Sequence, residues 1–239
     1  EEYQAEALRC WGSGSTPPGF IAEMVPCEYS YDIGSLRYVQ TGQPVERRAQ
    51  RPWRRNGGGW WPWGGGADAN ERKDLGDTVL GLLKPGGSTP GGILADISCG
   101  DGFMARHLVK SGQFDVALAL DLSWNELEQA REAAENDKVA PEDGLLLIRG
   151  DAEELPFRPD QLDYVWWGQG MHVLSNLPAA LTSLFVAMRP GGQLVGTTMV
   201  ECFRDVELRR LLVEAGFSDV QVNKAGVRRA VYMISAAKP

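Results

Sequence analysis

The pattern of apolar and polar positions divides the chain into two parts. Residues 1–70 show little periodicity and are rich in Gly, Pro, Trp and Arg, whereas apolar residues recur regularly from Glu71 onward. Arginines, tryptophans and glycine runs are densest in residues 51–66, where the glycines disfavour regular structure. We therefore predict an irregular N-terminal arm over residues 1–70 and one folded domain over residues 71–239.

Within the domain, strand-like and helix-like segments alternate. Short apolar runs predict buried strands over residues 93–98, 116–122, 145–148, 164–167 and 193–199, and helical spacing predicts helices over residues 71–84, 103–110, 124–136, 177–188 and 206–215. Such alternation gives right-handed crossovers and a parallel sheet with helices on both faces. Two closing strands, at residues 220–222 and 230–235, flank a connection over residues 223–226 that is short enough only for antiparallel neighbours. The predicted fold class is α/β, a Rossmann-like doubly wound sheet with a terminal antiparallel hairpin.

The end of the first predicted strand and the loop after it have the most specific chemical motif in the chain. This motif is Asp96-Ile97-Ser98-Cys99-Gly100-Asp101-Gly102. Glycine at two alternate positions lets the backbone turn sharply and lets a ligand approach without a Cβ in the way. A dinucleotide fingerprint would require further glycines where Ser98 and Phe103 stand. A dehydrogenase is therefore disfavoured, and the acidic Asp96 suits a ligand with a cationic amino-acid end and no pyrophosphate.

Two more acids follow the next two predicted strands. Asp121 comes about twenty residues after the loop, at a position where a carboxylate accepts hydrogen bonds from ribose hydroxyls. Asp151 follows the third strand, where we expect it to face an adenine amino group. Each acid alone is equally consistent with a helix cap or a turn, but together they predict an S-adenosylmethionine pocket at the carboxyl edge of the sheet. The predicted cofactor-binding residues are Asp96, Ser98, Gly100, Gly102, Asp121, Leu122, Asp151, Ala152 and Gly168.

Composition excludes several other classes of function. The net charge of -8 disfavours a nucleic-acid partner, because phosphate binding needs clustered Lys and Arg. The four cysteines form no CxxC pair, so we predict neither a metal site nor a disulfide framework. No apolar run approaches the roughly 20 residues of a membrane-spanning helix, so no transmembrane segment is expected.

The chain resembles the class I S-adenosylmethionine-dependent methyltransferases, in their ubiquinone/menaquinone-biosynthesis-like branch, through the segments DISCGDGFMARHL, VALALDLSWNELEQA, GDAEELPF, RPGGQLVGTT and ELRRLLVEAGF. The D-x-S-C-G-x-G loop and the upstream Trp53-Arg54-Arg55-Asn56 are similar to poorly characterised chloroplast methyltransferases of plants and algae. The resemblance implies that Asp96, Gly100 and Gly102 line the methionine moiety of the cofactor. It also implies that Asp121 lines the ribose and Asp151 the adenine, and that the protein acts in a plastid. The alternative location is the cytoplasm.

The chain departs from that family after the fifth strand, where only a short segment separates Met199 from Val206 and no substrate-covering lid fits. Two interpretations follow. One is a methyltransferase that acts on a small, lipophilic or quinone-like acceptor. The other is a catalytically silent methyltransferase-like subunit, held in a larger plastid assembly by protein partners that bind residues 51–66. On the acceptor side, His172 is a weak candidate for a general base, although a lone histidine at such a position is more often structural.

Overall fold

The computed structural model describes residues 21–23, 69–83, 91–225 and 231–239. In chain order the helices and strands are β1 (Ile21–Glu23), α1 (Ala69–Leu83), β2 (Ile93–Ile97), α2 (Phe103–Lys110), β3 (Val116–Asp121), α3 (Trp124–Asn136), β4 (Leu145–Arg149), β5 (Leu162–Gly168), α4 (Leu177–Ala187), β6 (Met188–Met199), α5 (Asp205–Glu214), β7 (Ser218–Ala225) and β8 (Val231–Ala237). The strands form one sheet in the order β1-β4-β3-β2-β5-β6-β8-β7.

The strands from β1 to β6 all pair in parallel. Between β2 and β6, a helix or loop after each strand returns the chain to the starting edge of the sheet. The central strands are buried on both faces, and their side chains alternate between two apolar clusters. One cluster contains residues of α1, α2 and α3, and the other contains residues of α4 and α5. The predicted doubly wound sheet is therefore confirmed.

The sheet ends in the predicted antiparallel hairpin, with β8 between β6 and β7. The position of the turn is corrected, since Asn223, Lys224 and Ala225 belong to β7 and pair with β8. Residues 226–230, which connect the two strands, lie outside the described residues. The start of β6 also differs from the prediction, because Met188 already pairs with Leu162 and the glycine-rich residues 189–192 form an irregularity within the strand.

Two elements differ from the predicted boundary between arm and domain. The short strand β1 lies within the arm, for which no regular structure is predicted, and pairs with Leu147, Ile148 and Arg149 of β4. Helix α1 begins at Ala69, two residues earlier than predicted. Residues 51–66 lie outside the described residues. In the described part of the chain, no helix is both long and apolar enough to span a lipid bilayer.

The topology fixes where a ligand can bind. Strands β3 and β4 lie to one side of β2. The chain then crosses back, so that β5 lies on the other side of β2. The carboxyl ends of β2 and β5 therefore diverge at a topological switch point, where open α/β sheets bind ligands. The glycine loop and the end of β5 meet at this point.

Candidate functional site at the carboxyl edge of the sheet

The loop after β2 has three residues with left-handed backbone conformation. The φ angles are 58° at Ser98, 55° at Gly100 and 65° at Gly102. A Cβ at Gly102 would lie 3.0 Å from the Cβ of Ala130, so glycine also allows α2 to start close against α3. Ser98 is not a glycine, and a strained backbone at such a residue often marks a functional site.

Asp121 holds this loop against the end of β3. One carboxylate oxygen accepts a hydrogen bond from the Gly100 amide at 2.9 Å, and the other accepts one from the Ser123 amide at 2.8 Å. Burial raises the pKa of Asp121, while these hydrogen bonds act in the opposite direction. The residue as a whole is partly buried, and both oxygens of its carboxylate position backbone amides at the edge of the sheet.

Asp96 is the most deeply buried of the three predicted acids, with 1% of its surface exposed. Its Oδ2 atom accepts a hydrogen bond of 3.0 Å from the Ala105 amide in the first turn of α2. Burial raises the pKa of Asp96 well above its ordinary value, and the negative charges of Asp121 and Asp101 act in the same direction. A buried acid with a raised pKa in a cleft marks a candidate functional site.

An open pocket lies between α1 and the carboxyl ends of β2, β5 and β6. It is lined by Arg72, Leu75, Asp96, Ser98, Cys99, Asp101, Phe103, Met104, Trp166, Gly168, Gln169 and Thr197. Three of the predicted residues, Asp96, Ser98 and Gly168, are therefore brought together in one pocket. The backbone of Gly168 passes so close to Trp166 that a Cβ there would lie 2.8 Å from the indole ring.

The other predicted residues extend from this pocket along the edge of the sheet toward β4. The carbonyl oxygen of Leu122 accepts a hydrogen bond from Nε of Arg149. Asp151 follows β4 and accepts a hydrogen bond of 2.9 Å from the Glu153 amide, as a turn carboxylate does. Ala152 packs in the apolar core with 6% of its surface exposed. Their roles toward the ribose and adenine stay predictions.

Helix α1 supplies a wall of the pocket that the sequence does not predict. Arg72 forms two hydrogen bonds with the Asp101 carboxylate, at 2.7 and 2.8 Å, and its guanidinium lies 4.1 Å from the centre of the Phe103 ring. Leu75 lies one turn further along α1. Only five residues, 200–204, connect β6 to α5, which agrees with the predicted lack of a lid there. The partial cover of the pocket comes from the N-terminal side instead.

The opposite wall of the pocket has buried polar atoms without partners. Gln169 is 9% exposed and Thr197 is 1% exposed, and both line the pocket. Neither the amide oxygen and nitrogen of Gln169 nor the hydroxyl of Thr197 has a hydrogen-bond partner in the described residues. Leaving a buried polar group unsatisfied costs about 1–3 kcal/mol, so such groups in a native fold call for an explanation.

His172 does not line this pocket. Its Nδ1 atom lies 3.4 Å from Oγ1 of Thr198. Thr197 and Thr198 are neighbours in β6, so their side chains point to opposite faces of the sheet, and only Thr197 faces the pocket. Burial lowers the pKa of His172, which favours the neutral imidazole. Its role as a general base stays a prediction without support from the position of the side chain.

Comparison with known proteins finds similarity to methyltransferases over part of the chain. Residues 95–196 match the model of a methyltransferase domain. Two uncharacterised chloroplastic methyltransferases of Arabidopsis thaliana are 34% and 32% identical to the chain, over 46% and 63% of its length. A demethylmenaquinone methyltransferase of Staphylococcus aureus is 32% identical over 48% of the chain. The chain spans only 32%, 40% and 46% of the lengths of these three relatives.

A solved structure confirms the fold. Phosphoethanolamine N-methyltransferase 2 of Haemonchus contortus, in complex with phosphomonomethylethanolamine and S-adenosylhomocysteine, superposes with a TM-score of 0.57. The match covers 68% of this chain and 52% of that protein, at 17% sequence identity. Residues 95–196 therefore match a methyltransferase domain in sequence, and the described residues share the fold of this solved methyltransferase.

Proposed function

We propose that the protein is a methyltransferase that transfers a methyl group from S-adenosylmethionine to a small, lipophilic or quinone-like acceptor. The observation that carries the proposal is the pocket at the switch point, where a strained glycine loop, a buried acid and an arginine converge. When bound, S-adenosylmethionine supplies an electrophilic methyl group on a positively charged sulfur.

The residues present fit the two charges at the methionine end of this cofactor. The carboxyl group of Asp96 and the carboxylate of Asp101 line the pocket and suit an ammonium group, while the guanidinium of Arg72 suits a carboxylate. Gly100, with a φ of 55°, would keep a side chain away from the path of the cofactor, whereas Gly102 lets α2 start close against α3. Asp121, which already orients the loop, would accept hydrogen bonds from the ribose hydroxyls, and Asp151 would face the adenine.

The protein's contribution to methyl transfer would be alignment and exclusion of water. Displacement at a methyl group requires mainly that the acceptor atom be held in line with the breaking bond, and such positioning supplies a large part of the barrier reduction. Arg72 and Leu75 of α1 cover one side of the pocket and limit the access of solvent.

The relatives support a plastid role and a quinone-like acceptor. Two of them are chloroplastic methyltransferases, and another is a demethylmenaquinone methyltransferase. We therefore propose that this protein acts in a plastid on an acceptor of that chemical kind. The interpretation as a silent subunit depends on residues 51–66, which lie outside the described residues, and it stays a prediction.

The experiment has two steps on the full chain. Calorimetric titration with S-adenosylmethionine and, separately, with NADH should give binding of the first alone. The chain is then incubated with S-adenosylmethionine carrying a radiolabelled methyl group and an extract of plastid lipids and quinones. Label should appear in an extracted small molecule. Equal affinity for NADH would refute the cofactor assignment, and tight cofactor binding without any transfer of label would refute the proposed activity.

A further inference from the structure

The polar groups of the pocket fall into two halves with different chemistry. Arg72, Asp96 and Asp101 come from α1, β2 and the glycine loop, and all three carry ionisable groups. Gln169 and Thr197 come from the ends of β5 and β6, and both are neutral. We expect the charged end of a ligand to bind in the first half, because ionisable side chains pair with charged groups. We expect an uncharged ligand in the second half, because its side chains are neutral.

The neutral half of the pocket consists of buried polar side chains that the backbone holds in fixed positions. Five buried side-chain polar atoms in the described residues lack a hydrogen-bond partner, and three of them belong to Gln169 and Thr197. The backbone amide of Gln169 donates a hydrogen bond of 2.9 Å to the carbonyl oxygen of Thr197, which fixes the two residues side by side. Gln169 also has a left-handed backbone with a φ of 56°, a strained conformation that the fold maintains at this edge.

The hydrogen-bonding capacity of the pair defines what it can bind. An amide group both donates and accepts through neighbouring atoms, and a threonine hydroxyl can do either. A ligand that satisfies them must therefore present a donor beside an acceptor. Trp166 lines the same pocket and offers a ring surface for a flat apolar body.

We propose that Gln169 and Thr197 bind the methyl acceptor, and that this acceptor is an uncharged ring compound with a hydroxyl group beside a carbonyl group. The inference rests on the proposed function, because it assigns the charged half of the pocket to the methionine end of the cofactor. That end also carries a donor beside an acceptor, as ammonium and carboxylate, so the test must separate the two ligands.

The probes are three small ring compounds that differ only in the groups at issue: 2-hydroxyacetophenone, phenol and acetophenone. Each is titrated into the full chain saturated with S-adenosylhomocysteine. The hydroxy ketone should bind about tenfold more tightly than either compound with a single group. The variants Gln169→Met and Thr197→Val keep side-chain size and remove the polar atoms, and they should abolish this preference while S-adenosylmethionine affinity changes less than twofold.

Thr197→Ser is the matched control, because it retains the hydroxyl and should retain the preference. Both apolar variants should also melt at a higher temperature than the parent chain without ligands, since they remove unpartnered buried atoms. Loss of S-adenosylmethionine affinity with an unchanged probe preference would assign the pair to the cofactor and overturn the proposal. Equal binding of all three probes by a chain that binds S-adenosylhomocysteine would overturn the acceptor class alone. Failure to bind S-adenosylmethionine at all would overturn the proposed function itself.

Discussion

The polar groups at the two edges of the sheet differ in how far they are satisfied within the chain. At the amino edge, Asp163 accepts a hydrogen bond of 2.6 Å from the Ile93 amide and forms an ion pair with Arg189. Asp115 accepts one of 2.8 Å from the Gly92 amide at the same edge. These carboxylates join loops to strands, and Oδ1 of Asp163, which accepts no hydrogen bond in the described residues, is the atom that pairs with Arg189.

At the carboxyl edge, the buried polar groups are only partly satisfied. Asp96 has a raised pKa and faces two other acids, and the side chains of Gln169 and Thr197 have no partners in the described residues. The amino edge therefore has an architecture suited to stability, whereas the carboxyl edge retains polar groups that a ligand can satisfy. Natural proteins tolerate such local costs where function requires them.

The largest effect is expected from blocking the glycine loop at the carboxyl edge. Gly100→Val places a β-branched side chain at a φ of 55°, which such residues rarely adopt. We expect S-adenosylmethionine affinity to fall by about a hundredfold or more, from strain and steric exclusion together. Gly112→Val is the control, because Gly112 has a φ of 68° in an open turn with nothing near its Cβ position. Equal loss of affinity in both variants would show a general folding defect.

The next effect compares two carboxylates that each hold a backbone amide. Asp121→Ala releases the Gly100 and Ser123 amides and removes the proposed ribose ligand. Loss of hydrogen bonds to a charged group costs about 1.5–3 kcal/mol, so affinity for S-adenosylmethionine should fall roughly ten- to hundredfold by calorimetry. Asp115→Ala at the amino edge should lower stability and leave affinity unchanged. Unchanged affinity in Asp121→Ala would remove this residue from the site.

These first two predictions use features visible in the sequence, and much of the fold was predictable in the same way. Apolar runs fix the strands and the Gly100–Gly102 spacing fixes the loop, because both depend on local sequence. The part played by Arg72 was not predictable, since it depends on how α1 packs across the loop to reach Asp101. Gln169 and Thr197 are distant in sequence and meet only through the pairing of β5 with β6.

Replacing a buried aspartate by asparagine is expected to change the stability of the ligand-free chain by a smaller amount, and in opposite directions at the two edges. Asp96→Asn keeps an oxygen that accepts the hydrogen bond from Ala105 and removes the buried charge. Its melting temperature should rise by about 2–4 °C, which corresponds to about 1 kcal/mol for a domain of this size. Asp163→Asn breaks the ion pair with Arg189, so its melting temperature should fall. A fall in both variants would contradict the contrast between the edges.

The pH dependence of stability predicts how the difference between Asp96→Asn and the parent chain changes with pH. The ordinary pKa of Asp96 is 3.8, and the folded chain raises it, so the folded state keeps a proton that the unfolded state has released. Stability from this group is therefore present below about pH 3.8 and is lost as pH rises through the higher folded-state pKa. The stability advantage of Asp96→Asn should accordingly widen with increasing pH in urea titrations. An advantage that stays constant across this range would refute the raised pKa.

The smallest effect is expected from Arg72, whose ion pair with Asp101 is partly exposed to solvent. Arg72→Ala should lower the unfolding free energy by no more than about 1 kcal/mol, because water and salt screen exposed pairs. Arg210→Ala, which removes the fully surface-located pair with Glu214, is the control and should have less effect still. A loss of several kcal/mol in Arg72→Ala would mean that α1 depends on this contact for its place in the fold.

The most direct test of the contrast between the two edges is an amide chemical-shift titration of the chain with S-adenosylmethionine. We expect large shifts at Ser98, Gly100 and Ser123, which lie at the carboxyl edge. We expect none at Gly92 or Asp115 of the amino edge. Saturable shifts at the amino edge, with the glycine loop unaffected, would contradict the account.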